Sequence, residues 1–228
     1  MPTIVFASPK GGAGKSTSAI LLATEFAERG ATVTIIDADP NKPVSAWAKR
    51  PGKPEALTVV ADVSEDSIID AIEDAATKSA FVIVDLEGTA SMMVGYAISR
   101  ADLTIIPTQG SQLDATEAVK AIKLVRRQER AFNRTIPLAV LFTRTSAAIR
   151  PRSLQSIEAE LFANEVPMFG TQIHERDAYR AIFSFGGTLA KLDPSQVSNI
   201  KAAASNARAF AVEVVALLKR VTPVDTAA

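Results

Sequence analysis

Two lysines five positions apart, set among three glycines, are the first residues of this chain whose types and spacing could do chemistry. They lie in Ser8-Pro9-Lys10-Gly11-Gly12-Ala13-Gly14-Lys15-Ser16-Thr17. The pattern that cradles nucleotide phosphates is G-x-x-x-x-G-K-[ST], a turn leading from a strand into a helix. Gly14-Lys15-Ser16-Thr17 satisfies its second half, but proline occupies position 9, where the first glycine belongs, and Lys10 is an additional cation. Gly11, Gly12 and Gly14, with Ala13 between them, let the backbone approach phosphate oxygens and turn several N–H groups inward. The helix that follows adds the positive end of its dipole. In this arrangement Lys15 bridges the β- and γ-phosphates of ATP, Ser16 ligates Mg²⁺ and Thr17 reaches the α-phosphate. The competing reading is a glycine-rich turn with chance lysines. The intact G-K-S-T between a strand signal and a helix signal weighs against it.

Carboxylates stand at two further strand ends. Asp37-Ala38-Asp39-Pro40 closes one apolar run, and Phe81-Val82-Ile83-Val84-Asp85 ends another. Ligands of open α/β sheets bind outside the carboxyl ends of the strands, which is where these acids fall. Asp85 fits the aspartate that holds Mg²⁺ through water. Of the first pair, one carboxylate could support the metal and the other orient the attacking water; a solvated Asp-Pro turn is the alternative. Glu87, in Leu86-Glu87-Gly88, is either a second candidate for positioning water or a surface carboxylate. Thr143 and Arg144 end another apolar run, Ile136–Phe142, at a place where P-loop proteins hold the base. Arg144 either stacks on adenine or is solvated. His174, in His174-Glu175-Arg176-Asp177, follows the last expected strand and is assigned no proton-transfer role.

The elements that must position these residues alternate. Strands are expected at Thr3–Ala7, Thr32–Ile36, Leu57–Val60, Phe81–Val84, Leu103–Ile106, Ile136–Phe142 and Val166–Phe169. Helices are expected at Ser18–Arg29, Val44–Lys49, Asp66–Lys78, Asp114–Arg130, Leu154–Leu161 and Val197–Arg220. Strands that are apolar throughout are buried on both faces, as in a parallel sheet covered by helices. The fold class is therefore α/β, a doubly wound, mostly parallel sheet with helices on both faces, in a single domain over residues 1–221. Residues 222–228 are expected to fray.

Composition excludes several alternatives. The chain has 228 residues, 47% of them hydrophobic and 22% charged, with no cysteine and one histidine. Disulfides and thiolate metal sites are excluded, a histidine-rich metal site is disfavoured, and an intracellular setting is favoured. No apolar run has the length of a membrane span, and the N-terminal apolar segment Ile4–Ala7 is too short for a signal peptide. The net charge is zero but polarised: residues 1–119 carry 9 Lys+Arg against 16 Asp+Glu, and residues 120–228 carry 16 against 9. Lys120, Lys123, Arg127 and Arg130 recur at helical spacing as one stripe. Arg150 and Arg152 open the next helical segment, and Lys219 and Arg220 end the last one. Such cations bind phosphate backbones without reading sequence, or they form only the solvated face of a helix.

The run Lys10–Thr17 resembles the deviant phosphate loop, K-G-G-x-G-K-[ST]-[ST], of the ParA/MinD ATPase family. Asp37-Ala38-Asp39-Pro40 resembles that family's second acidic box, and Asp85 its metal-binding aspartate. The resemblance covers most of the chain, and the start close to the first strand is similar to short plasmid-partition ParA proteins. It implies an ATP-dependent homodimer in which Lys10 crosses to the partner's ATP phosphates. It also implies weak Mg²⁺-dependent ATPase activity, nonspecific DNA binding, and stimulation by a ParB-like or other cargo- or centromere-bound protein, in a cytoplasmic, nucleoid-associated setting. Asp39 is then the residue that positions water, and Asp37 supports the metal. Three features depart from the family. Leu86-Glu87-Gly88 stands where D-x-P-P is usual, Asn41 stands where glutamine is common, and Val214–Val221 is too short for a membrane-targeting helix. The segment His174–Ala178 resembles VirC-type relatives that act in conjugative DNA transfer. A small-molecule ATP-dependent synthetase sharing the lysine box, and a nucleic-acid adaptor whose ATP site only stabilises the fold, are the other readings.

Overall fold

Every strand is short and apolar, and every strand is parallel to its neighbours. The computed structural model describes residues 1–88 and 91–221; the expected frayed tail at 222–228 lies outside the described residues. The strands are β1 (Thr3–Phe6), β2 (Val33–Ala38), β3 (Leu57–Val60), β4 (Phe81–Leu86), β5 (Leu103–Thr108), β6 (Leu138–Thr145) and β7 (Ile173–His174). The helices are α1 (Lys15–Ala27), α2 (Pro43–Ala48), α3 (Ile68–Lys78), α4 (Met92–Ser99), α5 (Gln112–Phe132), α6 (Arg152–Ala163), α7 (Asp177–Phe185) and α8 (Ile200–Val221). The strand order is β3-β2-β4-β1-β5-β6-β7, and all pairings are parallel. This is the doubly wound α/β architecture expected from the alternation of signals.

The alternation of side chains across β1 shows why both faces must be covered. Ile4 and Phe6 enter one apolar cluster with α1, α2, α7 and α8, while Val5 and Ala7 enter the other with α3, α4, α5 and α6. Residues two apart in a strand share a face, so a run apolar at every position needs helices on both sides.

The order of strands places the chemistry. β1 is central, flanked by β4 and β5, and β4 lies beside β2. Phe6 is opposite Asp85, and Asp37 is opposite Asp85. Three adjacent strands therefore deliver the glycine loop, Asp85 and Asp37 to one edge.

Two expectations change. Val166–Phe169 is not a strand; it contributes one bridge, Val140 to Met168. Pro167 lacks an N–H and its carbonyl only accepts from Val140 at 2.9 Å, so the ladder cannot extend. The seventh strand is Ile173–His174, reached after a register shift at Thr143/Thr145. Helices α4 and α7 were not anticipated. The first helix begins at Lys15, three residues earlier than its apolar face indicated.

Candidate nucleotide site

Gly14 fixes the geometry of the loop. It adopts φ +93°, and a Cβ there would stand 3.3 Å from three atoms of the Thr143 side chain. Both the left-handed backbone and the close approach call for glycine. Gly12 is also left-handed, at φ +75°. Thr143, expected near the base, is buried, lines the smaller of two cavities beside the loop and also buttresses the loop itself. Its hydroxyl donates to the Ala13 carbonyl at 2.7 Å. Gln109 adds a second strut, donating through Nε2 to the Gly12 carbonyl at 3.0 Å.

Two adjoining cavities of about 340 and 430 Å³ open around this loop and share Gly14, Thr17 and Arg144. These volumes suit a small-molecule ligand. The larger is lined by Gly11, Gly12, Lys15, Ser16, Asp39 and Glu87, among others, a lining suited to phosphate groups. The smaller is walled by Thr143, His174, Arg176 and Tyr179, among others, a lining that could take a base. Arg144, exposed and at φ +52° beside the β6 irregularity, stands between them. His174 shares a 2.9 Å hydrogen bond with Thr145, and its burial, with Arg176 nearby, holds its pKa below the usual histidine value. This favours the uncharged imidazole, in keeping with its place in the wall of the cavity. Tyr179 is pinned by bonds to the Ala203 carbonyl at 2.9 Å and Asn206 at 3.1 Å.

The two lysines have separate surroundings. Lys15 is 5% exposed, and its Nζ donates to the carbonyls of Ser8 at 3.3 Å and Lys10 at 3.2 Å. Lys10 is not among the residues that line the larger cavity. Its Nζ donates at 2.6 Å to Asp114 Oδ1, at the start of α5. Ser111, the helix N-cap, holds the other Asp114 oxygen and accepts from the Asp114 N–H, a reciprocal cap of the kind short polar residues form. Burial opposes the Asp114 charge, but the bonds from Lys10 and Ser111 outweigh it and hold the carboxyl below the ordinary range. Sequence reasoning missed Asp114, because it stands 104 residues from Lys10. Its only local signal is the Ser-x-x-Asp cap spacing.

Asp37 and Asp39 diverge as the chain turns. Asp37 is fully buried and accepts from the Ser45 N–H at 2.7 Å and the Ser45 hydroxyl at 2.6 Å, both on Oδ2. Its Oδ1 is buried without a partner, as are both oxygens of Asp85. Burial pushes Asp85 up to about 7, and Asp37 nearby adds to this; the Ser16 hydroxyl and Lys15 favour its charged form without completing its hydrogen bonds. Orphaned buried acceptors are costly. A divalent cation reached directly or through water would satisfy them. Mg²⁺ keeps several waters and is bound through one or two carboxylates plus substrate phosphates, a demand these oxygens could meet. Ser16, Asp37 and Asp85 are the residues that would hold it.

The expected DNA-contact residues fall into two groups. On α5, Lys120 pairs with Glu117 at 2.7 Å, whereas Lys123, Arg127 and Arg130 are exposed and make no ion pair among the described residues. Arg150 pairs with Glu158 at 2.5 Å, and Arg152, also exposed, opens α6 on the same face. Lys219 and Arg220 end α8, which packs on the opposite face. The sheet thus separates cations that the sequence grouped together.

With this geometry established, comparison places the chain among known proteins. The family model for VirC1 protein matches residues 1–224. Protein ParA of Rhizobium radiobacter is 45% identical over 222 residues, covering 97% of this chain and 98% of that protein. Among solved structures, the cell division ATPase MinD of Pyrococcus furiosus superposes with a TM-score of 0.73 at 18% identity, over 95% of this chain and 99% of its own. MinD of Pyrococcus horikoshii, complexed with Mg-ADP, gives 0.73 at 17%, over 98% and 99%. At such identities the structural likeness establishes the fold alone. No helix among the described residues is long and apolar enough to cross a membrane. The short likeness of His174–Ala178 to VirC-type relatives extends over nearly the whole chain, which belongs to the VirC1 family and shares 45% identity with a ParA protein.

Proposed function

We propose that this protein is a Mg²⁺-dependent ATPase that works as a dimerising switch. ATP bound by Lys15, Ser16 and Thr17 promotes a sandwich dimer, the dimer binds DNA nonspecifically, and hydrolysis stimulated by a cargo- or centromere-bound partner releases it. Plasmid or chromosome partition, or positioning of another cargo, is the outcome. Mg²⁺ neutralises phosphate charge when bound, Asp39 orients water, and Arg144 borders the base. The observation that carries the reading is the separation of the lysines. Lys15 lines its own phosphate cavity, whereas Lys10 does not and is held by Asp114. A half-exposed lysine can exchange that carboxylate for phosphates on a second copy, which gives ATP a differential affinity for the dimer, as a switch requires.

The test is sedimentation with a nonhydrolysable ATP analogue. The wild type should shift to a dimer, and Lys10→Ala should remain monomeric while binding the analogue within about threefold of wild type. A dimer of normal stability in Lys10→Ala would overturn the arrangement.

DNA binding is placed on α5. Reversing charge with Lys123→Glu and Arg127→Glu should weaken DNA binding at least tenfold at about 0.1 M salt and lower the salt slope by about two. ATP affinity should be unchanged. Unaltered DNA binding, measured by fluorescence anisotropy, would move the contact surface to α8, where Lys219 and Arg220 lie. The VirC1 family match favours a second reading, in which the same switch serves conjugative DNA transfer rather than partition.

A further inference from the structure

The carboxylate assigned to the attacking water is already partly engaged. Asp39 Oδ1 accepts from the Asn41 N–H at 2.8 Å and from Asn41 Nδ2 at 3.0 Å. Glu87 borders the same phosphate cavity as Asp39, Lys15 and Ser16. It is half-buried and has no hydrogen bond or ion pair among the described residues. Lys120, which lines a small apolar cavity together with Glu87, pairs with Glu117 instead. A surface ion pair therefore does not explain Glu87.

Backbone packing holds Glu87 in place. After β4 ends at Leu86, Gly88 lies against the phosphate loop so closely that a Cβ would stand 2.9 Å from Gly11 N and 3.1 Å from Lys10 C. Any side chain at 88 would force the segment outward and carry Glu87 with it. A proline ring, usual at this place in the resembling family, would not fit. A bare carboxylate facing a polyphosphate opposes binding by like-charge repulsion. It becomes useful when a water lies between the two, donating one hydrogen to the carboxylate. Asp39 and Glu87 both line this cavity, and Lys15, which lines it too, feels the charge of each.

We propose that Glu87 is a catalytic residue of this chain, accepting a hydrogen bond from the attacking water and, with Asp39, holding it in line with the γ-phosphate. The inference rests on the ATPase reading above. The water oxygen bonds to the γ-phosphorus as the bond to the β,γ-bridging oxygen breaks, and that electron pair leaves on ADP. The water's proton passes to a γ-phosphate oxygen, giving inorganic phosphate. Glu87 orients the water and keeps its own protonation state.

The experiment compares wild type, Glu87→Gln and Glu87→Ala as full chains with Mg·ATP. It measures phosphate release, affinity for a fluorescent ATP analogue, and persistence of the ATP-dependent dimer by sedimentation. Removing a water-orienting group should lower kcat about a hundredfold. Affinity should stay equal or tighten, because a repulsive charge is removed, and the ATP-bound dimer should last longer. Glu87→Gln is nearly isosteric, and stabilisation by Mg·ATP checks that it is folded. A kcat within twofold of wild type, or kcat and affinity falling together, overturns the role of Glu87 and leaves the ATPase reading intact. A wild type that binds ATP without turnover overturns that reading and the inference with it.

Discussion

Lys15→Ala is expected to weaken ATP binding at least a hundredfold. Its ammonium is buried, and burial is the main influence pulling its pKa below the ordinary lysine value, partly offset by Asp85, Asp39 and Glu87. Much of the desolvation cost is therefore met on folding rather than on binding. The Ser8 and Lys10 carbonyls hold the ammonium in place, so incoming phosphates meet an oriented donor. Removing one partner of such a desolvated charge contact costs about 2–5 kcal/mol, and a hundredfold is about 2.7 kcal/mol. Lys15→Arg should not restore binding, because a planar guanidinium needs a wider slot than this enclosed one. Titration with a fluorescent ATP analogue measures the effect. The contrast with Lys10→Ala matters most: the two lysines share a loop, but one should change affinity and the other assembly. An affinity within threefold of wild type for Lys15→Ala would place the phosphates elsewhere.

The loop that carries both lysines was legible in the sequence because it is local, whereas the separate role expected of Lys10 came from the family resemblance. The spacing of Gly11, Gly12, Gly14 and the two lysines encodes the loop within ten residues, and an apolar run ending in Asp85 marks a buried strand with its acid at the sheet edge. What the sequence hid is assembled from distant segments. Asp114, Gln109 and Thr143 brace the loop across separations of 104, 97 and 130 residues, and no periodicity reports such pairs. Val166–Phe169 has strand-like side chains, yet Pro167 denies it a ladder, so tertiary context overrode local preference. Helix α4 was missed because Met92–Ser99 is short and apolar on most sides, leaving no amphipathic stripe to read. The basic residues were legible as charge but not as surface. Only packing shows that α5 and α8 cover opposite faces of the sheet.

Asp85→Asn should stabilise the nucleotide-free protein while abolishing its response to Mg·ATP. Asp85 is fully buried, both its oxygens lack partners, and its pKa is raised from 3.8 to about 7. A carboxyl whose folded pKa is raised favours folding fully below its unfolded value. That contribution is lost as pH rises, until it is gone above the folded value. The window is therefore about pH 4 to 7. Above it the ionised group costs on the order of 4 kcal/mol, from a difference of about three pH units. The amide of Asn is itself an unpaired buried polar group, costing about 1–3 kcal/mol, so the expected net gain is about 1–3 kcal/mol. For a chain of this size that raises the melting temperature by about 5 °C at pH 8. The gain should shrink as pH falls through 7, pass through zero within the window and become a net loss of about 1–3 kcal/mol towards pH 4, where only the amide cost remains. Wild type recovers the cost when a cation meets Asp85, so Mg·ATP should raise its melting temperature, with little effect on the variant. Thermal melts at pH 8 and pH 5, with and without Mg·ATP, read both arms. A destabilised Asp85→Asn at pH 8 would mean that the carboxylate is already satisfied, and the metal would then have to be held by Asp37 and Ser16 without it.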